Sequence, residues 1–197
     1  MTALPVPAHD YLLRPWSGTW VRDALLVSGA VVLTAVLAQV SIPVPGSPVP
    51  VTGQTLAVML VGTTMGMRRG TAAMGLYLLV GLVGLPVYSD GTAGLQVLLG
   101  ATGGYLVGFV LAAAVMGWAA ERGWDRTPLR TLLLGLVGQG LIFGVGVPWL
   151  AFAAGLDFAG AMSAGVTPFL VGGVIKGLVA AALLPAAWRL VRGKQRR

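Results

Sequence analysis

Hydrophobic positions in this chain gather in long blocks rather than alternating with polar ones. Six apolar stretches stand out, at about 24–42, 54–67, 70–85, 104–120, 132–154 and 169–190. Blocks of this kind predict an all-α integral membrane protein, a bundle of six transmembrane helices. The organisation that follows is an N-terminal tail at 1–23, a membrane domain at 24–190 and a short basic tail at 191–197. The second and third blocks fall short of the roughly 20 residues that a full span needs. They fit if they stop below one surface and leave a cavity roofed by loops, where irregular backbone is tolerated at membrane depth.

The polar residues between the blocks orient the chain. Arg14 and Arg22 precede the first block, and Arg68 and Arg69 lie between the second and third. Arg122, Arg126 and Arg130 separate the fourth and fifth; Arg189, Arg192, Lys194, Arg196 and Arg197 close the chain. The other three connections contain no Lys or Arg, so twelve of the thirteen basic residues fall on one side of a six-span chain. The positive-inside rule makes that side cytoplasmic, with both termini on it. Residues before the first block, with Pro5, Pro7, His9 and Asp10, do not read as a cleavable signal peptide. Trp16 and Trp20 are placed as interface anchors.

The connections on the far side differ from one another. The first, 42–50, holds four prolines and is expected to be extended, close to polyproline II. The second, 86–102, carries the turn residues Ser89, Asp90 and Gly91, then an apolar run at 95–99 expected to fold back over the bundle as a lid.

Composition supports the bilayer. The 197 residues are 56% hydrophobic and 10% charged, with a mean hydropathy of +0.86, whereas soluble domains carry about 25% charged residues. The net charge of +7 sits in short clusters between apolar runs and forms no basic face, which argues against nucleic acid as a partner. There is no cysteine, hence no disulfide framework and no cysteine metal site. The single histidine is His9, and no carboxylate falls within a span. No acid–base pair, metal cluster, cofactor motif or phosphate loop can be drawn, and the chain reads as a binder of a small solute, not an enzyme.

Candidate binding residues are few. Lys176 is the one charge inside a span, seven residues into the last block and roughly 10 Å below its far end at about 1.5 Å per residue. An ionisable group at that depth usually faces a cavity and a partner, although a lysine can also snorkel to an interface. Gln54 and Gln139 are amides at membrane depth that can bond a ligand or link two helices. For Gln139 the linking role is the expected one. Tyr88 and Tyr105 bracket the second far-side connection, with Gly103 and Gly104 between them; either aromatic can be a ligand wall or a belt residue. Asp90 is the acid nearest the cavity mouth, or else a solvated turn residue. Small residues recur every fourth position at Ala30, Thr34 and Ala38 in the first block, and at Gly173, Gly177 and Ala181 in the last. That spacing lets helices approach closely, within the bundle or onto another membrane protein.

Several segments, taken in order, resemble one family. They are Ile42-Pro43-Val44-Pro45 with Pro48-Val49-Pro50-Val51-Thr52-Gly53-Gln54-Thr55, Gly84-Leu85-Pro86-Val87-Tyr88, and Thr102-Gly103-Gly104-Tyr105-Leu106-Val107-Gly108-Phe109. Val147-Pro148-Trp149-Leu150 and Pro168-Phe169-Leu170-Val171-Gly172, followed by Lys176, complete the set. Together they are similar to BioY proteins, the biotin-binding S components of energy-coupling-factor transporters. The resemblance implies a six-helix bundle of S-component type that captures biotin in an outward-facing cavity. It implies work in the cell membrane with a membrane scaffold subunit and cytoplasmic ATPase subunits, the first helix being the docking face through Ala30, Thr34 and Ala38. Gln54 and Lys176 would then address ureido or carboxylate oxygen, and Tyr88, Tyr105, Trp149 and Phe169 would supply apolar walls.

Two positions depart from the family pattern. Gly173 stands where an aspartate is usual, three residues before the lysine, and Ala101 stands where proline is common. Asp90 or Asp157 is expected to supply the missing carboxylate, or the ligand's own carboxylate to meet Lys176. The alternatives to biotin uptake are an S component for another vitamin and a small membrane enzyme acting on lipid-borne substrates.

Overall fold

The computed structural model describes residues 19–195, with side chains from 20 to 186. The tail up to residue 18, with Trp16 and His9, and the last two arginines lie outside the described residues. Helix α1 (Thr19–Ala38) starts five residues before the expected first span and takes Arg22 and Asp23 into its first turns. A two-stranded antiparallel ribbon follows, β1 (Ser41–Ile42) paired with β2 (Val51–Thr52). The proline-rich connection is therefore not simply polyproline II. Its prolines fill the loop, while residues free to donate carry the pairing.

Helix α2 (Gln54–Leu82) is two antiparallel limbs joined at Gly66, whose backbone (φ 77°, ψ 176°) breaks the helix. Residues 62 and 70 would lie about 12 Å apart along one straight helix, yet a Cβ on Gly70 would sit 3.1 Å from the Gly62 Cα. The chain has reversed, which matches the separate second and third blocks of the sequence. The turn takes a positive φ that glycine alone adopts freely, and the Glu121 Oε1 caps the second limb by accepting from the Met67 N–H at 2.8 Å.

A short α3 (Leu95–Leu99) leads into α4 (Gly103–Glu121), then α5 (Pro128–Ala154), a short α6 (Phe158–Gly165) and α7 (Thr167–Gln195). The last helix runs on to residue 195, past the start of the residues assigned to the basic tail. Helix α4 is the centre of the bundle, packed between the α2 hairpin and α5, while α7 closes against α5 and α2. Glycine makes the central crossings possible. A Cβ on Gly62 would meet the Ala113 backbone at 3.1 Å, and one on Gly108 the Ile142 backbone at 2.9 Å.

The outer surface of the bundle is as apolar as its core. Val32 and Val36 on α1, Leu136 and Val137 on α5, and Leu170, Val171 and Ile175 on α7 are all half or more exposed. Among the described residues, four segments are long and apolar enough to cross a membrane: Trp20–Ala38, Gly103–Glu121, Pro128–Ala154 and Phe158–Ala186. Such a surface is unfavourable in water and suits hydrocarbon.

Candidate ligand-binding cavity

At the end of the bundle away from Arg68 and Arg69, the β-ribbon feeds directly into α2. The hinge is Gly53, where a Cβ would lie 2.5 Å from the Leu37 carbonyl oxygen. That close passage fixes Thr52, Gln54 and Thr55 at the rim of a cavity between α2, α4, α5 and α7. The space between these residues, counting the open mouth, is about 520 Å³.

Lys176 enters it from α7. It lies nine positions after Thr167, about 14 Å into the helix at 1.5 Å per residue, deeper than the sequence indicated. Its ammonium donates to the Thr52 carbonyl oxygen and, at 2.8 Å, to the Thr55 Oγ1. Two of its three hydrogens are thus held by protein. No carboxylate lines the cavity among the described residues, so the lysine is the one charged group there.

A neutral relay runs on from Thr52. Thr52 Oγ1 donates to Gln54 Oε1 at 2.8 Å, Gln54 Nε2 to the Tyr77 hydroxyl at 2.6 Å, and Tyr77 to the Val87 carbonyl oxygen at 2.8 Å. The relay holds Gln54, almost fully buried, with both ends of its amide engaged. The Tyr88 hydroxyl donates to the Leu78 carbonyl oxygen at 2.6 Å, and its ring meets Tyr77 edge-on at 5.6 Å. Burial pushes the Tyr88 phenol up to about 12, so it remains a donor at neutral pH. Towards α5 and α7 the wall is aromatic: Tyr105, Phe143 and Phe169 pack with centroids 6.1–6.4 Å apart. The Tyr105 hydroxyl donates to the Gly165 carbonyl oxygen at 3.0 Å, tying α4 to the end of α6. Val97 of α3 reaches the cavity, as expected of a covering segment.

Of the residues marked in the sequence, Gln54, Tyr88, Tyr105, Phe169 and Lys176 come together here. Four others do not. Asp90 is exposed and accepts from Ser41 Oγ at 3.2 Å, pinning its loop to the ribbon. Asp157 caps α6 through the Gly160 N–H at 2.8 Å, so neither acid supplies the missing carboxylate. Gly103 is a packing glycine, since a Cβ there would collide with the Leu98 carbonyl. Trp149 holds the α3–α4 joint by donating to the Gly100 carbonyl oxygen at 3.0 Å. The small residues of α1 also face inwards: Ala30, Thr34 and Ala38 are buried, and Thr34 Oγ1 donates to the Ala30 carbonyl oxygen at 2.8 Å. In this conformation their spacing serves packing of α1 against the α2 hairpin and offers no surface to another subunit.

Sequence reasoning missed Thr52, Thr55, Phe109 and Phe143 as lining residues, and expected Gln139 to link two helices. Gln139 lines the cavity and makes no hydrogen bond with the described residues. Position 139, three residues before Ile142 and four before Phe143, is on the same helix face as both. That spacing was the available signal.

The model of the BioY family matches residues 8–193. The chain belongs to the BioY family. Among BioY relatives it is similar to the "Biotin transporter BioY2" of Lactococcus lactis subsp. cremoris, 37% identical over 79% of this chain and 83% of that protein. It is 38% identical to the "Biotin transporter BioY" of Thermotoga maritima, over 81% of this chain and 92% of the other. A crystal structure of the S-component for biotin from an ECF-type ABC transporter superposes with a TM-score of 0.74 at 22% identity. The match covers 92% of this chain and 96% of that one, and gives the same fold. This BioY-family chain is a multi-pass membrane protein.

Proposed function

We propose that this protein takes up biotin, capturing it in the cavity beside Lys176 as the substrate-binding S component of an energy-coupling-factor transporter. The observation that carries the reading is a cavity with aromatic walls and one cation, in a chain more than a third identical to biotin transporters. Biotin has a ureido ring with two donors and one acceptor, an apolar thiophane ring, and a carboxylate on a flexible chain. The rings suit the wall formed by Tyr105, Phe143 and Phe169, and the polar groups suit Lys176 and its surroundings.

The six long segments are α1, the two limbs of α2, α4, α5 and α7, and each spans the bilayer in this reading. Both termini and the arginine-bearing turns then lie in the cytoplasm, and the cavity opens outwards. The protein sits in the cytoplasmic membrane, and a membrane scaffold subunit with cytoplasmic ATPases supplies the energy. The buried α1 stripe leaves docking to an exposed face or to a rearranged state of the bundle.

Calorimetry with biotin on detergent-purified protein, freed of co-purified ligand, tests the substrate. One-site binding in the nanomolar range is expected, and biotin alone of a vitamin panel should raise the melting temperature. Absence of heat from folded protein would overturn the assignment.

A further inference from the structure

The geometry points to Gln139 as the residue that reads the ureido edge of the ligand and sets its direction in the cavity, a statement that rests on the biotin reading. The hydroxyls and amides around the cavity are mostly used by the protein itself. Gln54 is held at both ends, and Tyr88 and Tyr105 each donate to a backbone carbonyl. Gln139 is different: it is half-buried, lines the cavity, and no hydrogen bond to it exists among the described residues.

Gln139 also stands where α7 has made room. A Cβ on Gly173 would lie 3.8 Å from Gln139 Cγ and Cδ and 3.9 Å from its Oε1. Gly173 is three residues before Lys176, on the same helix face. The carboxamide therefore occupies the space beside the bare backbone at 173, one turn along α7 from residue 176, and supplies the acceptor that the α7 face lacks.

A carboxamide presents one acceptor and one donor side by side. The –NH–C(=O)– edge of a cyclic urea presents the complement, so both atoms of the amide are used in a two-bond pair. A carboxylate could use the donor only and would leave Oε1 facing negative charge. The third hydrogen of Lys176 is free to meet the ureido oxygen, since its other two are held by Thr52 and Thr55. The ligand carboxylate is then directed to the mouth, near the Ser89 hydroxyl and water, where it keeps much of its hydration.

Relative affinities for three ligands on each variant test this: biotin, its methyl ester, and 2-iminobiotin, whose guanidinium replaces the urea. Gln139→Leu should weaken biotin about ten- to a hundredfold and leave the biotin-to-ester ratio within about threefold of wild type. Gln139→Glu should move the biotin-to-iminobiotin ratio at least tenfold towards iminobiotin. The ester and iminobiotin ratios are each read on one protein sample and do not depend on its folded fraction; should Gln139→Leu fold poorly, Gln139→Ala takes its place with the same biotin loss expected. A changed ester ratio would place Gln139 at the carboxylate and overturn the inference, as would ratios and affinities that do not move. Wild-type protein that binds none of the three would instead overturn the biotin reading.

Discussion

The two ends of the bundle handle charge in opposite ways. At the arginine end, opposite charges meet directly. Arg69 lies 2.9 Å from Asp23 across α1 and the α2 turn, Arg22 is 3.8 Å from the same carboxylate, and Glu121 caps the second limb of α2. These groups are partly exposed and hold the connections in place. At the cavity end, Lys176 is set against a backbone carbonyl and a hydroxyl, and no acid compensates it among the described lining residues. A charge that is satisfied by neighbours is architecture. A charge left with neutral partners and a free hydrogen is available to a ligand.

If that contrast is sound, substitutions at the cavity end should change binding and those at the arginine end should change only stability. The largest effect is expected for Lys176→Ala, a loss of about ten- to a hundredfold in biotin affinity by calorimetry. The melting temperature of the unliganded protein should hold or rise, because a partly buried charge without an acid partner is removed. Gly81→Ala comes next. The new Cβ would sit 2.1 Å from the Tyr88 ring, so overpacking should cost about 1–3 kcal/mol in thermal unfolding and also lower biotin affinity by displacing a cavity wall.

Gly66→Ala sharpens the same comparison from the other end. Its positive φ and the Glu121 carboxylate oxygen 2.6 Å from the new Cβ should cost about 1–3 kcal/mol, read as a lower melting temperature. Biotin affinity should stay within about threefold of wild type. Asp23→Asn is the smallest change, below about 1 kcal/mol and vanishing in high salt, since the Asp23 side chain is 40% exposed. A large effect of Gly66→Ala or Asp23→Asn on biotin affinity would break the contrast.

Much of this contrast is legible in the amino-acid sequence. Charges are costly in hydrocarbon, so the arginine spacing marks the turns, and the same cost makes Lys176 conspicuous within its span. The α2 hairpin is readable as two blocks flanking Arg68 and Arg69. Direction is what the sequence does not carry. A helix buried on one face and lipid-exposed on the other is apolar all round, so Ala30, Thr34 and Ala38 carry no sign of facing inwards. Gln139 likewise looks the same whether it bridges two helices or faces a cavity. Trp149 and Gly103 sit in the family segments, and only the folded arrangement reveals that they fasten the α3–α4 joint behind the cavity wall. The proline-rich connection hides its ribbon because two paired residues on each strand are too short for any alternation to register.

The central claim is that the cavity beside Lys176 opens to the outside and holds biotin. The chain has no cysteine, so a single introduced thiol reports alone. Ser89→Cys at the cavity mouth and Arg68→Cys at the other end should be tested with a membrane-impermeant maleimide on intact cells, with and without biotin. Ser89→Cys should be labelled from outside and protected by biotin, and Arg68→Cys should be labelled only after permeabilisation. Labelling of Ser89→Cys only in permeabilised cells, or at a rate biotin does not alter, would contradict it.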